Sequence, residues 1–206
     1  MFRLSALALT CAALLTVGAA HAQTEVRATL AGHASLPAST TVAAPADAGP
    51  LFTTAGKFAS SNRQRVEALG TIPGVTFVGD PQHPRLSGGS LPIQGQSVQG
   101  FSGIVSLGQG EFLALTDNGF GNKLNSQDAL LMVHKVRADW DSGQVSRLQT
   151  TFLRDPDRKV PFFIENENTA ERYLTGSDFD PESIQVVGDE WWIGDEFGPY
   201  VLRVDA

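Results

Sequence analysis

The amino-acid sequence predicts an all-β protein made of antiparallel, β-propeller-like blades. From Gly74 onward, short apolar runs alternate with Gly, Pro and Asp turns, as is typical of β-hairpins. The 206 residues include 21 Gly and 11 Pro, which excludes a sustained coiled coil. A hydrophobic share of 42% is enough for one packed core and argues against intrinsic disorder. At roughly 40–50 residues per blade the chain holds about three blades, fewer than the four to eight that close a ring, so we expect an incomplete propeller, the N-terminal part of a larger domain.

Residues 1–22 have the three parts of a secretory signal peptide. Arg3 precedes an apolar stretch from Leu4 to Val17, and Ala20-His21-Ala22 forms a small-x-small cleavage site. The stretch is shorter than the roughly 20 residues of a spanning helix, and no Arg-Arg pair is present. We therefore predict Sec-type export, cleavage after Ala22, a periplasmic or secreted location and no membrane insertion of the mature chain. Cleavage removes the one Cys of the chain, so core packing, a metal ion or both must stabilise the mature protein.

The mature chain divides by composition into two parts. Residues 23–73 are predicted to be an Ala/Thr/Pro-rich leader arm, with a short helix over Asn62–Leu69, and residues 74–206 to be the β-domain. The segment Asp128–Trp140 fits a helix or a buried strand, and we favour a strand because its neighbours have β patterns. The apolar runs predict strands at Ile104–Leu107, Phe112–Thr116, Val145–Leu153, Ile184–Val187, Trp191–Ile193 and Val201–Val204.

Two of these hairpins resemble each other and form a weak internal repeat. The first copy begins at Phe101-Ser102-Gly103-Ile104 and the second at Pro181-Glu182-Ser183-Ile184. Each copy has a strand, a tight Gly turn, a second strand and an acidic pair of residues at the strand end, and such hairpins are typical of propeller blades. The offset is roughly twice the length of one blade, which places the copies two blades apart. The alternative is two unrelated hairpins.

An acidic cluster coincides with the second copy. Seven carboxylates lie between residues 178 and 196, and no Lys or Arg occurs between Tyr173 and Leu202. Asp189 and Glu190 belong to the predicted turn and are assigned to solvent. The other five carboxylates should converge at one end of the hairpin, where a cation is needed to offset their repulsion. They are Asp178, Asp180, Glu182, Asp195 and Glu196. Loop-borne oxygen ligands favour Ca²⁺. The alternative is a solvated or hydrogen-bonded acidic rim.

A second oxygen-rich loop ends the first copy of the repeat. It runs from Thr116 to Asp128, and two Gly residues allow a close backbone approach. Its candidate metal ligands are Asp117, Asn118 and Asp128. The spacing does not match an EF-hand, so a structured turn without a ligand is the alternative.

Other classes of site are disfavoured. The net charge of −7 argues against a nucleic-acid-binding protein, which would need a basic face. We therefore predict no nucleic-acid partner. The segment Gly100–Ile104 misses the nucleophile-elbow pattern, because Ile stands where its last Gly should be. The mature chain has only His33, His83 and His134, without paired spacing, which argues against a zinc site or a Ser-His triad. No oligomeric state is assigned.

Four short motifs together resemble the bacterial phytase-like family, described by the "esterase-like activity of phytase". The motifs are Gln99–Ile104, Thr116–Gly121 with Asn125–Asp128, Leu174–Ser183 and Trp192–Tyr200. The resemblance covers residues 94–206. It implies a β-propeller-like domain in an exported protein, in which Asp and Glu residues carry phosphoester hydrolysis. Family members continue beyond the last motif, which agrees with an incomplete propeller in this chain.

Three functions follow as hypotheses. The first is a Ca²⁺-dependent hydrolase of small phosphate esters, with Glu182 or Glu196 as the general base. The second is a Ca²⁺-dependent hydrolase of acyl esters or lactones on the same site. The third is a non-catalytic propeller module that binds a partner, with a structural cation or none.

Overall fold

The structure, a computed structural model, describes residues 27–60, 62, 64–73, 75–80, 82–86 and 89–205. The predicted signal peptide lies outside these residues. The chain separates into two units, Met1–Ala31 and Gly32–Ala206. In the first unit, residues 27–31 are irregular and exposed. The second unit holds every strand that the structure describes: β1 Thr41–Val42, β2 Thr54–Ala55, β3 Phe77–Val78, β4 Arg85–Leu86, β5 Ile93–Gln94, β6 Gln96–Ser97, β7 Phe101–Gly108, β8 Glu111–Thr116, β9 Met132–Asp139, β10 Gln144–Phe152, β11 Pro181–Val187, β12 Glu190–Asp195 and β13 Val201–Asp205.

Two antiparallel meanders dominate the second unit. The first meander is a four-stranded sheet in the order β10-β9-β8-β7, and the second is a three-stranded sheet in the order β11-β12-β13. Tight turns join the hairpins, as at Gln109-Gly110, where both residues have positive φ, and at Gly188. Three two-stranded pairs, β1–β6, β2–β5 and β3–β4, complete the strand pairing in the described residues.

The prediction of an all-β, antiparallel fold is confirmed, since the described residues contain no α-helix and every sheet pairs antiparallel. All six predicted strands are present, although β7 and β11 begin three residues earlier than predicted and β12 ends two residues later, and the ambiguous segment contains β9. The arrangement of the sheets as a propeller stays a prediction. No helix in the described part of the chain is long and apolar enough to span a membrane.

The main core lies between the two meanders. Leu115 and Val133 of the first meander and Ile184 and Ile193 of the second belong to one buried apolar cluster. The segment 153–180, which connects the meanders, adds Leu153, Ile164, Leu174 and Phe179 to that cluster. The two meanders therefore share a core, and β11 packs against β7 and β8.

The repeat copies occupy consecutive sheets, so the expected separation of two blades is wrong. The additional length between the copies belongs to the connection 153–180, which has no strand longer than an isolated bridge. Turns and side-chain hydrogen bonds fold this connection into the core. The repeat is thus two adjacent hairpins joined by a long ordered segment.

The predicted helix at Asn62–Leu69 is also wrong, because the described residues of this stretch are irregular. Contacts outside the stretch take the place of helical hydrogen bonds: the Val66 amide donates to the Lys57 carbonyl, and the Lys57 ammonium lies 2.8 Å from the Glu67 carboxylate. Within the predicted leader arm, β1 pairs with β6, β2 pairs with β5, and Phe52 is buried.

Candidate functional site

Two β-bulges shape the site, one in each meander. Between β7 and β8 the register passes from Phe101 opposite Thr116 to Gly103 opposite Leu115, which leaves Ser102 unpaired. Between β11 and β12 it passes from Pro181 opposite Asp195 to Ser183 opposite Gly194, which leaves Glu182 unpaired. A bulge redirects the side chain of its extra residue, and bulges are common beside functional sites.

Three carboxylates meet at this end of the second meander. Asp180 precedes β11, Glu182 is the bulge residue, and Glu196 follows β12. One carboxylate oxygen from each lies within 4.8 Å of the others. Asp180 is buried, whereas Glu182 and Glu196 are exposed. The sequence prediction named all three residues, and the structure brings them together.

Asp117 supplies a fourth acidic group from the first meander. It follows β8, is half-buried, and accepts a hydrogen bond of 2.8 Å from the Gly119 amide. Burial and the nearby Asp180 charge raise the pKa of Asp117 above its ordinary value. A Cβ on Gly100 would lie 2.7 Å from the Asp117 carboxyl carbon, and Gly100 has a φ of +67°. Glycine at this position leaves room for the Asp117 carboxylate.

The charges that act most strongly on Glu182 are negative. Partial burial of its carboxylate, followed by Asp180, Glu196 and Asp117, raises the pKa of Glu182. A hydrogen bond from the Ser102 side chain acts in the opposite direction and favours the carboxylate. The site therefore concentrates negative charge that a cation would offset.

Asn118 orients Asp180. Its backbone amide donates to Asp180 Oδ1 at 3.1 Å, and its Nδ2 donates to Asp180 Oδ2 at 2.6 Å. Its own Oδ1 accepts hydrogen bonds from the Phe120 and Gly121 amides. Gly176 lies so close to the Asn118 backbone that any Cβ there would collide with it. Asn118, predicted as a metal ligand, therefore uses its side chain within the protein.

Asp195 joins the two strands of the second hairpin. Its Oδ1 accepts from the Asp180 amide at 2.6 Å, and its Oδ2 accepts from the Gly198 amide at 2.8 Å. The Glu196 amide in turn donates to the Asp180 carbonyl at 2.9 Å. These contacts fix the backbones that carry Asp180 and Glu196.

The structure does not bring Asp128 and Asp178 into the three-carboxylate group. The Asp128 carboxylate, 0% exposed, accepts from the Gly56 and Lys57 amides at 2.9 and 2.8 Å. The Asp178 carboxylate accepts from the Thr175 amide and hydroxyl and from the Glu165 amide at 2.7–2.9 Å. Burial raises the pKa of both carboxyls, and these hydrogen bonds oppose that effect. Both side chains hold loops in place.

Ser102 lies beside the acidic residues and was not predicted from the sequence. It occupies the bulge of β7 as Glu182 occupies the bulge of β11, and its side chain lowers the pKa of Glu182. The internal repeat carried the signal, because Ser102 and Glu182 are equivalent in its two copies. A bulge itself cannot be read from the pattern of apolar residues.

The carboxylates fit a hard cation. Asp180, Glu182 and Glu196 each offer a carboxylate oxygen within 4.8 Å of the others, and the residues Glu182 and Glu196 are exposed to solvent. Ca²⁺ and Mg²⁺ bind oxygen ligands of this kind. Each Asp180 oxygen accepts one hydrogen bond and keeps a lone pair for a cation.

The fold and the site define an all-β protein with a carboxylate site where two antiparallel meanders meet. The chain belongs to the phytase-like family, described as "esterase-like activity of phytase", whose model matches residues 96–206, just over half of the 206 residues. The resemblance carried by the four sequence motifs is thus confirmed. All the acidic residues of the site lie within the match, and the family indicates a hydrolase type of function. No curated protein and no solved structure matches the chain.

Proposed function

We propose that the protein is an exported, cation-dependent hydrolase of small phosphate esters and that the cation is Ca²⁺. The observation that carries this proposal is the set of three carboxylates within 4.8 Å at the junction of the two meanders. A phosphate ester is an anion, which these carboxylates would repel without a cation. Family membership supports ester hydrolysis as the reaction.

The residues divide into distinct roles. Asp180 and Glu196 would hold the cation, with water and substrate oxygens completing its shell. Once bound, the cation would polarise the phosphoryl oxygens and offset the charge that develops on them. Glu182 would accept the proton of the water that attacks phosphorus, and its raised pKa suits a general base better than an ordinary carboxylate. Asn118 and Asp195 would keep Asp180 in place through their hydrogen bonds.

The same site supports a proposal on architecture. We infer that the two meanders are neighbouring blades of a β-propeller-like domain, because their first strands, β7 and β11, contact each other and their acidic residues lie at the same end. This placement would put the site at the junction of two blades.

The test is hydrolysis of p-nitrophenyl phosphate, bis-p-nitrophenyl phosphate and p-nitrophenyl acetate in Ca²⁺ and in chelator. We expect phosphoester turnover that needs Ca²⁺ and that falls about 10²–10⁴-fold in Glu182→Gln, the usual contribution of a general base. Glu190→Gln, at the opposite end of the same hairpin, is the matched control and should keep wild-type turnover. Turnover that survives in Glu182→Gln, or in chelator, would contradict the proposal, and turnover of the acetate alone would assign the site to acyl esters.

A further inference from the structure

One basic side chain reaches the acidic end of the second hairpin from the first meander. The Lys123 ammonium lies 4.8 Å from the centre of the Phe197 ring, and Phe197 directly follows Glu196 in the chain. A cation over an aromatic face at this distance is attracted by the ring. Lys123 begins the short 3-10 helix Lys123–Asn125 in the loop that follows β8. The contact therefore joins that loop to the residue beside one of the three clustered carboxylates.

The loop that carries Lys123 is anchored to Asp180. Asn118 Nδ2 donates to Asp180 Oδ2 at 2.6 Å, and Asn118 Oδ1 accepts from the Gly121 amide at 2.7 Å. The Asn122 side chain then accepts hydrogen bonds from the two backbone amides that follow Lys123. A short chain of hydrogen bonds thus fixes the Lys123 backbone relative to a carboxylate of the site.

The segment that carries Phe197 is fixed to the same residues on both sides of the ring. The Glu196 amide donates to the Asp180 carbonyl at 2.9 Å, and the Gly198 amide donates to Asp195 Oδ2 at 2.8 Å. Phe197 itself is half-buried. The ring is therefore a fixed platform at the edge of the acidic site, and it places the ammonium there.

The ammonium of Lys123 is free to bind an anion. Lys123 is exposed, and it forms no salt bridge with any residue that the structure describes. Lys57 and Lys135, by contrast, pair with the carboxylates of Glu67 and Glu111. A cation–π contact at an exposed site is weak, and it leaves the three N–H donors of the ammonium available.

An anionic substrate needs more positive charge than one divalent cation supplies. Such a cation carries two positive charges, whereas the ionised carboxylates of Asp180, Glu182 and Glu196 carry three negative charges. The segment that bears them brings no basic residue, since no Lys or Arg occurs between Tyr173 and Leu202. The first meander supplies that charge through Lys123.

We propose that Lys123 is a substrate-binding residue of the acidic site, whose ammonium donates a hydrogen bond to a phosphate oxygen of the substrate. The inference rests on the proposed function, in which that phosphate ester is hydrolysed. A phosphate monoester carries up to two negative charges at neutral pH, whereas a diester carries one. Lys123 therefore favours monoesters as the substrate class.

The kinetic experiment compares Lys123→Met with Lys123→Arg, which keeps the charge, and with Arg137→Met as a matched control. Arg137 pairs with Glu111 at the opposite end of β8, so Arg137→Met removes an equal charge far from the site. Steady-state kinetics on p-nitrophenyl phosphate and bis-p-nitrophenyl phosphate in Ca²⁺ give kcat and KM for each variant.

A second readout reports phosphate binding without turnover. The full chain is labelled with ¹³C-Lys, and the Lys123 Cε resonance is assigned from its loss in Lys123→Met. Phenylphosphonate, a phosphate-ester mimic whose P–C bond the reaction does not break, is then titrated in the presence of Ca²⁺. We expect it to move the Lys123 Cε resonance of the wild type.

We expect Lys123→Met to raise KM for p-nitrophenyl phosphate about 10-fold with kcat little changed, the lower end of the range for a hydrogen bond to a charged group. The rise should be smaller for bis-p-nitrophenyl phosphate. Lys123→Arg should keep most of the wild-type affinity, and Arg137→Met should match the wild type.

An unchanged KM in Lys123→Met, or a Lys123 resonance that phenylphosphonate leaves unmoved, would overturn the inference. An equal rise in KM on both substrates would overturn the preference for monoesters. Absence of wild-type turnover would instead remove the proposed function, and the resonance would then decide phosphate binding by Lys123 alone.

Discussion

His134 lies in the middle of β9 with 0% of its surface exposed. Its Nδ1 lies 2.9 Å from the Thr150 hydroxyl, while its Nε2 is buried without a hydrogen-bond partner. Burial and the nearby Arg147 charge lower the pKa of His134 to about 4. The imidazole is therefore neutral in the folded protein, and its protonation opposes folding.

This neutral imidazole predicts a loss of stability in acid. Because the folded pKa of about 4 is below the ordinary 6.5, the unfolded chain binds more protons between these values, and stability falls as pH drops from 6.5 to 4. The loss from this group should be about 3 kcal/mol. Urea unfolding at pH 7 and pH 4.5 should show a smaller acid loss in His134→Asn, which keeps a polar atom near the Thr150 hydroxyl. His83→Asn, on an exposed turn, should behave as wild type, and an acid loss equal in all three proteins would contradict the prediction.

For single residues, the sequence identified the acidic side chains but could not tell which of them accept backbone hydrogen bonds and which belong to the site. Asp178 and Glu182 are four residues apart, yet one accepts backbone hydrogen bonds and the other joins the site. Asp128 accepts from amides more than 70 positions away, a contact that no local pattern encodes. The short hairpin, which returns Glu196 to the end where Asp180 lies, was predictable from the sequence, whereas the bulge that carries Glu182 was not.

Among the elements, β7 and β11 depend on one glycine for their close approach. Gly103→Ala would place a methyl group against the Ile184 side chain and backbone, and overpacking of this kind costs about 1–3 kcal/mol. We expect a lower free energy of unfolding. Gly89→Ala is the matched control, since its Cβ would meet open space. Equal stability of the two variants in urea unfolding would contradict this account of the junction.

A buried arginine side chain, Arg172, holds the connection 153–180 in place. Arg172, 1% exposed, donates from Nε to the Asp155 carbonyl at 2.9 Å and lies 2.8 Å from the Glu167 carboxylate. Arg172→Met leaves the buried Asp155 carboxylate, which lies 3.2 Å from Arg172 Nη2, without its partner, and this costs about 3–5 kcal/mol for a buried pair. Arg154→Met removes the exposed ion pair with Glu171 and should cost at most about 1 kcal/mol. Thermal unfolding that ranks the two variants equally would contradict a central role for Arg172.

The strands were predictable and this connection was not, for one physical reason. In β8 and β12 the apolar residues that pack into the core follow a local pattern, so sequence alone places them. The connection is held by side-chain contacts to distant backbone groups, such as Arg172 with Asp155. Those contacts exist only after the chain has folded.

For the whole molecule, the site and the core unite the two meanders. Asp117 comes from the first meander and the other three acids from the second, and one apolar cluster lies between them. A cation bound among these carboxylates should therefore stabilise the entire unit rather than one hairpin. At a Ca²⁺ concentration about 100-fold above its dissociation constant, the gain is about 2.7 kcal/mol, which raises Tm by roughly 5–11 °C at this size.

Thermal unfolding in Ca²⁺, Mg²⁺ and chelator tests this coupling. We expect a single cooperative transition that Ca²⁺ shifts upward and that Mg²⁺ shifts less, since Mg²⁺ demands a stricter octahedral shell than loop-borne carboxylates supply. Glu196→Gln should remove the shift, because it deletes one of the three clustered carboxylates. Asp189→Asn removes an equal charge at the opposite end of the hairpin and should keep the shift, so a loss of net charge alone cannot imitate the result. A transition that Ca²⁺ leaves unmoved in the wild type would return the carboxylates to a solvated rim, and a shift that persists in Glu196→Gln would place the ion elsewhere.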